Sequence, residues 1–436
     1  MSAWTDRTLH FVGIGGAGMS GLALVCHRLG AGVSGSDRAD SSYIRRLRDA
    51  GIEAAVGHDA ANLPEGAEVV VSTAIGEENP ELGLARERGV AVIHRGELLA
   101  ELCAQKRLIA VSGTHGKTTT AAMLVWALRA LGLDPGFFVG GELPGIGPDG
   151  EAANSGWGEG EWVVAEADES DASFLRLKPE VAVVTNVEMD HHSRWGSLAE
   201  LERAFEDFVR IARGVAIPAG GDLDRLAEGR SAVFFDVDSP GPAELDLSVP
   251  GRHNLLNARA ALAAVELTGA DVGAAARGLS DFPGVRRRLE LRGTRSGARV
   301  YDDYAHHPTE VRAALEALRG LEPERLIAVF QPHLYSRTKA LAEEFGAALA
   351  LADEVGVLDV YPAREKPVGD LAGVSGLRIA EAVADHAGGR PVWWLVDAAR
   401  AAAVFEPELC LGEIIVTIGA GDISQLAGRL AEEDTA

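Results

Sequence analysis

The stretch "RLIAVSGTHGKTTTAAMLVWALRALG", residues 107–132, runs from an apolar strand pattern through a short glycine turn into a helix-period pattern. That succession aims the free N–H groups of a helix N-terminus at whatever the turn encloses, the geometry that binds phosphate. The full phosphate-loop pattern G-x-x-x-x-G-K-[ST] asks for glycine at position 111, where Val111 stands. What remains is Gly113-Thr114-His115-Gly116-Lys117-Thr118, a shortened form. It keeps the working parts: two glycines that let N–H groups turn inward, a lysine to reach β/γ-phosphates, and a hydroxyl that can hold Mg²⁺. Taken alone, the loop is compatible with ATP binding and with an ordinary strand-to-helix turn.

Outward from this stretch, strand-like runs alternate with helix-like segments, so the fold class expected is α/β, with parallel sheets covered by helices on both faces. A first block opens "TLHFVGIGGAGMSGLALVCHRLG" (8–30), continues through "GVSGSD", "EVVVST" and "VAVIHR", and closes in a helix near Gln105. The second holds the opening stretch, the strands "EWVVAEAD" and "EVAVVTNV", and the helix "NLLNARAALAAVELTG" (254–269). The third follows the basic cluster Arg286-Arg287-Arg288 with the strands "RLIAVFQP", "EVGVLDVY", "PVWWLV" and "EIIVTIGAG". Boundaries are expected near 106 and 286, giving domains 1–106, 107–286 and 287–436. The Pro/Gly-rich "DSPGPAE" (238–244) reads as a surface loop.

At 436 residues the chain is too long for one core, in keeping with two or three domains. A net charge of −24 argues against nucleic acid or an anionic membrane as the main partner. It leaves room for an anionic ligand, because the basic residues can gather in one cleft. Cys26, Cys103 and Cys410 lie far apart without metal-site spacing. They fit a reducing compartment and are expected to be packed core residues. With neither eighteen uninterrupted apolar residues nor a cationic leader, a soluble cytoplasmic protein without stable membrane association is expected.

Five further constellations carry chemistry. Gly13-x-Gly15-x-x-Gly18 sits between a strand and a helix, and Asp37 follows at the end of the next strand. This is the fingerprint of a diphosphate site with an acid for a ribose hydroxyl, and it suits a nicotinamide enzyme as well as other nucleotide binders. "EADESD" (166–171) ends a strand of the second block, where one carboxylate can join Thr118 around Mg²⁺. For Asp168, Ser170 and Asp171 a helix N-cap is an equal reading. The next strand ends "TNVEMDHH", bringing Asp190, His191 and His192 to the same edge. In "GRHNLLNA" (251–258), His253, Asn254 and Asn257 offer a donor–acceptor edge for adenine, although Asn254 could simply cap the helix. "YDDYAHHPTE" (301–310) and "FQPHLYSRT" (330–338) place Asp303, His306, His307, His333 and Arg337 at strand ends of the third block. There they are expected to line a cleft facing the ATP domain, with solvated loops as the alternative.

In this order the pieces resemble the Mur ligase family. The stretches that carry the resemblance are "HFVGIGGAGMSGLA", "SGSD", "GTHGKTTT", "EADESDASFL", "VVTNVEMDH", "GRHNLLNA", "DDYAHHPTE", "FQPHLYSRT" and "GAGDI", spread over nearly the whole chain. The family's loop is itself G-x-x-G-K-T, which accounts for Val111. The resemblance implies a three-domain architecture, with Rossmann-like N- and C-terminal domains around a central P-loop ATPase domain. It implies an ATP-dependent ligase that joins L-alanine to the carboxylate of UDP-N-acetylmuramate through an acyl phosphate, in peptidoglycan precursor synthesis. Mg²⁺ is the implied metal, with Mn²⁺ as a substitute, and a monomer or homodimer is expected. A sister activity attaching a preformed murein peptide stays open. More distant are an NAD(P)-dependent oxidoreductase and a nucleotide-gated binding protein.

Residue by residue, the resemblance makes Gly113, Thr114, His115, Gly116, Lys117, Thr118 and Thr119 the ATP loop and His253, Asn254 and Asn257 the adenine contacts. Arg288 and Asp303 would reach ATP from the third domain. Thr118, Glu166 and His191 would hold metal, with Lys117, Glu166 and His191 as the catalytic set. His333 and Arg337 would take the amino acid, and Gly15, Gly16, Ala17, Gly18, Met19, Ser20, Asp37 and His58 the UDP moiety. Three departures stand out. His192 replaces a frequent methionine, Leu334 stands where some relatives have arginine, and the segment between "GGDLDRL" and "LSVPGRHN" looks abbreviated.

Overall fold

A computed structural model describes residues 4–189, 195–238, 245–363 and 365–432. The uninterrupted apolar runs become strands buried on both faces, as parallel sheets require. The first sheet comprises β1 (Thr8–Val12), β2 (Gly32–Asp37), β3 (Glu53–Val56), β4 (Glu68–Val71) and β5 (Val92–His94). All its pairs are parallel, in the order β3-β2-β1-β4-β5. The glycine loop joins β1 to the helix Ala17–Arg28, so it leaves the sheet where the strand order reverses, the usual ligand position in such sheets.

The second sheet holds β6 (Arg107–Ser112), β7 (Gly136–Leu143), β8 (Ala153–Gly156), β9 (Trp162–Glu166), β10 (Val181–Val184), β11 (Gly214–Pro218) and β12 (Ser231–Phe235). Its order is β12-β11-β10-β6-β9-β7-β8, which sets the loop after β6 between the ends of β10 and β9. The third contains β13 (Glu290–Arg295), β14 (Ala298–Asp303), β15 (Leu326–Phe330), β16 (Glu354–Leu358), β17 (Val392–Val396) and β18 (Ile414–Ile418). They run in the order β13-β14-β18-β15-β16-β17.

Two edges depart from the all-parallel expectation: β7 pairs with β8, and β13 with β14, antiparallel. The reason is connection length. Only Ser296 and Gly297, both at positive φ, join β13 to β14, and two residues close a hairpin but cannot make a parallel crossover.

One compact unit runs to Asp246 and takes in Leu256–Phe282; the other consists of Leu247–Leu255 and the chain from Pro283 onward. In the first unit the two sheets share a continuous apolar core, from Phe11 and Leu102 through Leu108 and Phe138 to Phe205 and Leu226. The helix Ala17–Arg28 packs on β7 and β8. Gly21 permits the approach, since a Cβ there would lie 3.0 Å from the Cβ of Ser155. Asn154 Nδ2 donates to Ala17 O at 2.9 Å, and Arg46 pairs with Glu142 at 3.0 Å across the same seam. In the second unit, separate apolar clusters cover the third sheet.

Cys26 and Cys103 are buried, whereas Cys410 is exposed, which corrects the expectation of a core position. It lies in the turn before β18, where its N–H donates to the Glu413 carboxylate, rather than on an apolar period. Among the described residues no helix is long and apolar enough to cross a membrane.

Candidate active site

The shortened loop is shaped by its glycines and by the end of β10. Gly113 has φ +135°, and a Cβ there would meet Thr185 Oγ1 at 2.1 Å. Gly116 has φ +82°, with Asn257 Oδ1 2.5 Å from its would-be Cβ. Neither position accepts a side chain. The residues after β10 hold the loop from the other side: Asn186 Oδ1 accepts from His115 N at 2.8 Å, and Thr185 Oγ1 donates to His115 O at 2.6 Å. Thr114 Oγ1 donates to Glu188 O at 2.9 Å.

Lys117 opens the helix Lys117–Ala130 and folds its ammonium back over the turn, onto Gly113 O at 2.6 Å. It also pairs with Glu169 at 2.8 Å. Burial opposes its charge, but Glu169, Glu166 and Asp168 outweigh that and push its pKa up. Glu169, 1% exposed, is pushed up to about 7 by burial against the pull of Lys117. Thr118 Oγ1 lies 3.0 Å and 3.1 Å from the two Glu166 oxygens, and Gly140 N donates to Glu166 at 2.6 Å. A hydroxyl and a carboxylate converging at a strand end form the hard oxygen set that Mg²⁺ selects. Thr119 is buried beside them. Asp190, His191 and His192 lie outside the described residues.

Asp168 and Asp171 do what the capping reading expects, accepting at 2.9 Å from Ser170 N and Ser173 N. They also bind Arg95, at 3.4 Å and 3.0 Å. A cleft of about 140 Å³ opens here, lined by Gly18, Arg95, Gly140, Asn154, Glu166 and Asp168 among others. It runs from Ala17 and Gly18, at the end of the first sheet's glycine loop, to Glu166 at the end of β9.

In the glycine loop, Gly15 N donates to Asp37 Oδ2 at 3.0 Å, so the acid at the end of β2 braces the turn. Gly16, Ala17 and Gly18 lead into the helix, Gly16 N donating to Gly13 O at 3.2 Å, while Met19 and Ser20 are buried and Ser20 Oγ is spent on Ala17 O. His58 stands beyond β3, its Nδ1 2.8 Å from Ser36 Oγ.

Asn257 belongs to the first unit, where it accepts from Thr120 Oγ1 at 3.3 Å. His253 and Asn254 belong to the second. Asn254 Nδ2 donates to Pro250 O at 2.7 Å, bracing the start of the helix Arg252–Thr268. His253 is pushed down to about 4 by burial and by the nearby Arg288. Arg288 stacks on Tyr304 at 5.2 Å. Asp303 is turned inward, accepting from Leu289 N and Ala305 N at 2.7 Å each, and burial pushes it up to about 6 against Arg288. His306 lies edge-on to His333 at 6.1 Å, and His333 stacks on Tyr361 at 5.8 Å. Arg337 follows in the helix Tyr335–Ala340. Leu334 holds φ +71° before that helix.

Three segments match family profiles: residues 8–107 the Mur ligase family catalytic domain, 111–218 the Mur ligase middle domain, and 287–421 the Mur ligase glutamate ligase domain. A UDP-N-acetylmuramate–L-alanine ligase of Kineococcus radiotolerans is 47% identical, covering 95% of this chain and 94% of that protein. The chain belongs to the Mur ligase family. A ligase of the same name from Mycolicibacterium smegmatis is 46% identical over 98% of this chain and 95% of its own. Among solved structures, the UDP-N-acetylmuramate-alanine ligase of Thermotoga maritima superposes with a TM-score of 0.82 at 31% identity, covering 98% of both chains. A murein peptide ligase of Psychrobacter arcticus reaches 0.71 at 26%, again over 98% of both. The three-domain α/β architecture of the Mur ligases is therefore the architecture here.

Glu169, Arg95, Thr185, Asn186 and Glu188 were not singled out by sequence reasoning. Glu169 and the three residues that follow β10 lie inside stretches already quoted, so their signal was position at a strand end. Arg95 had none, because its partners lie more than seventy residues away.

Proposed function

We propose that this Mur ligase joins L-alanine to the muramoyl carboxylate of UDP-N-acetylmuramate, converting ATP to ADP and phosphate. The observation that carries the reading is the cleft linking the end of the glycine loop, at Ala17 and Gly18, to Glu166, the carboxylate that Thr118 contacts. It suits one substrate bound by its diphosphate at one end with its carboxylate at the other. The names and near-complete coverage of the relatives support the same substrates.

A carboxylate oxygen is a poor leaving group, so the carboxylate first attacks the γ-phosphorus and ADP departs. The alanine amine then attacks the acyl carbon, phosphate leaves with the C–O electron pair, and the amine loses a proton. Two anions must meet in the first step, and Lys117 is placed to offset their repulsion. Thr118 and Glu166 would hold Mg²⁺, with His191 as a proposed third ligand; the ion, or Mn²⁺ in its place, supplies charge neutralisation on the phosphates. His253, Asn254 and Asn257 are assigned to adenine, Arg288 and Asp303 to ATP from the C-terminal domain, and His333 and Arg337 to the amino acid. Gly15–Ser20, Asp37 and His58 are assigned to UDP. The three domains are placed at 1–106, 107–286 and 287–436, in a cytoplasmic monomer or homodimer.

The test is phosphate release with ATP, UDP-N-acetylmuramate and one amine at a time: L-alanine, glycine, L-serine or a preformed murein peptide. L-alanine should give the highest kcat/KM. Release only with the peptide would replace this reading by the sister activity.

A further inference from the structure

A buried carboxylate in the first sheet's domain has no part in the chemistry above. Glu81, in the first turn of the helix Pro80–Arg88, is 0% exposed. A fully buried glutamate demands partners. Its Oε1 accepts from Asp59 N at 3.1 Å and Asn62 Nδ2 at 2.9 Å. Its Oε2 faces Ser36 Oγ at 2.6 Å and His10 Nε2 at 3.4 Å. Ser36 Oγ in turn meets Nδ1 of His58 at 2.8 Å. Burial pushes the Glu81 carboxyl up, but His10, Ser36, Asn62 and the Asp59 N–H outweigh it and hold it at about 2. It is therefore ionised at neutral pH and only accepts.

Proton counting then fixes the chain. Ser36 has one hydroxyl proton, and the short contact to a carboxylate takes it. The Ser36 oxygen can meet Nδ1 of His58 only as acceptor, so Nδ1 carries a proton. In the neutral ring that leaves Nε2 as an acceptor. His58 retains 22% side-chain exposure, while Ser36 and Glu81 have none. The preceding residue is tied to the glycine loop through Asp37: Gly57 N donates to Asp37 O at 2.7 Å, and Asp37 Oδ2 accepts from Gly15 N. We propose that Glu81 and Ser36 are positioning residues that set the His58 tautomer, so that Nε2 accepts a hydrogen bond from a donor group of the uridine moiety. That donor is the base imide or a ribose hydroxyl. The inference rests on the UDP reading of this domain and adds how uridine is recognised. If the imide is the donor, cytosine, which carries an acceptor there, is rejected because it leaves a site group unmatched.

Imidazole ¹⁵N NMR of the unliganded wild-type enzyme should show His58 protonated at Nδ1. In Glu81→Gln the carboxamide can donate to Ser36, freeing the Ser36 proton for Nδ1 and moving the ring proton to Nε2. UDP-N-acetylmuramate should then bind roughly tenfold more weakly, with kcat and the KM values for ATP and alanine unchanged. Ser36→Ala should show a similar loss, not additive with Glu81→Gln. Wild-type enzyme should prefer UMP to CMP if the imide is the donor, or UMP to dUMP if the ribose 2′-hydroxyl is, and Glu81→Gln should erase that preference. Proton on Nε2 in the wild type, unchanged affinity in both variants, or no preference in either pair overturns the proposal. Wild-type enzyme that fails to bind UDP-N-acetylmuramate overturns instead the UDP reading beneath it.

Discussion

Lys117 is the residue on which the phosphate loop turns. Its ammonium is held by Glu169 and two loop carbonyls, so it is charged and oriented within the loop. Lys117→Ala should lower kcat by on the order of 10³-fold, from the worth of preorganised electrostatic groups; a steady-state assay showing near-normal turnover would remove the loop from the chemistry. Glu166→Gln leaves one weaker oxygen beside Thr118 and should raise the Mg²⁺ concentration for half-maximal activity. His191→Asn should raise it less and be relieved by Mn²⁺, which takes imidazole more readily. Metal titrations of both variants check this, and an unmoved curve for His191→Asn strips that residue of its ligand role. Lys117 and Thr118 could be read from the loop motif, whereas the residues alone offered only one carboxylate of "EADESD" and Glu166 was named through the resemblance. Glu169 and Asn186 were not legible, because their importance comes from pairing across strands.

Among the elements, the long buried strands could be read from their apolar runs, and β1, β6, β10, β15 and β18 all appear where those runs lie. The short or polar ones could not. β3 is four residues long with both ends exposed, β13 buries none of its residues, and β7 is interrupted by Gly140 and Gly141. The helix Ala17–Arg28 shows a second limit: its period marks a helix but does not say that Gly21 faces Ser155. Gly21→Leu should lose about 1–3 kcal/mol of stability by overpacking this seam, and Ser155→Gly should restore part of it. Urea unfolding of the single and double variants measures both. The helix Pro80–Arg88 is tied to β2 by Glu81, and pH should reveal the bond. The Glu81 carboxyl titrates at about 2 when folded against a reference of 4.5. Its contribution is thus fully present above about 4.5 and lost as pH falls toward 2. Acid should therefore erode the stability of the wild type more steeply than that of Glu81→Gln, as read from unfolding free energies across that range.

For the whole molecule, the three sheets follow in the order the sequence suggested, because glycine turns and apolar runs punctuate each block. Ligand protection tests the first block's reading against its rival: UDP-N-acetylmuramate at a hundredfold excess over its Kd should add about 2.7 kcal/mol, while NADH and NADPH should leave Tm unmoved. A thermal shift with the nicotinamide cofactors alone would reverse the assignment. What no local pattern disclosed is that the first two sheets are built on one core. This has a consequence during synthesis. The apolar face of the helix Ala17–Arg28 is completed by β8, which leaves the ribosome more than a hundred residues later. At ordinary elongation rates that is on the order of ten seconds. For that interval the nascent chain carries this seam uncovered.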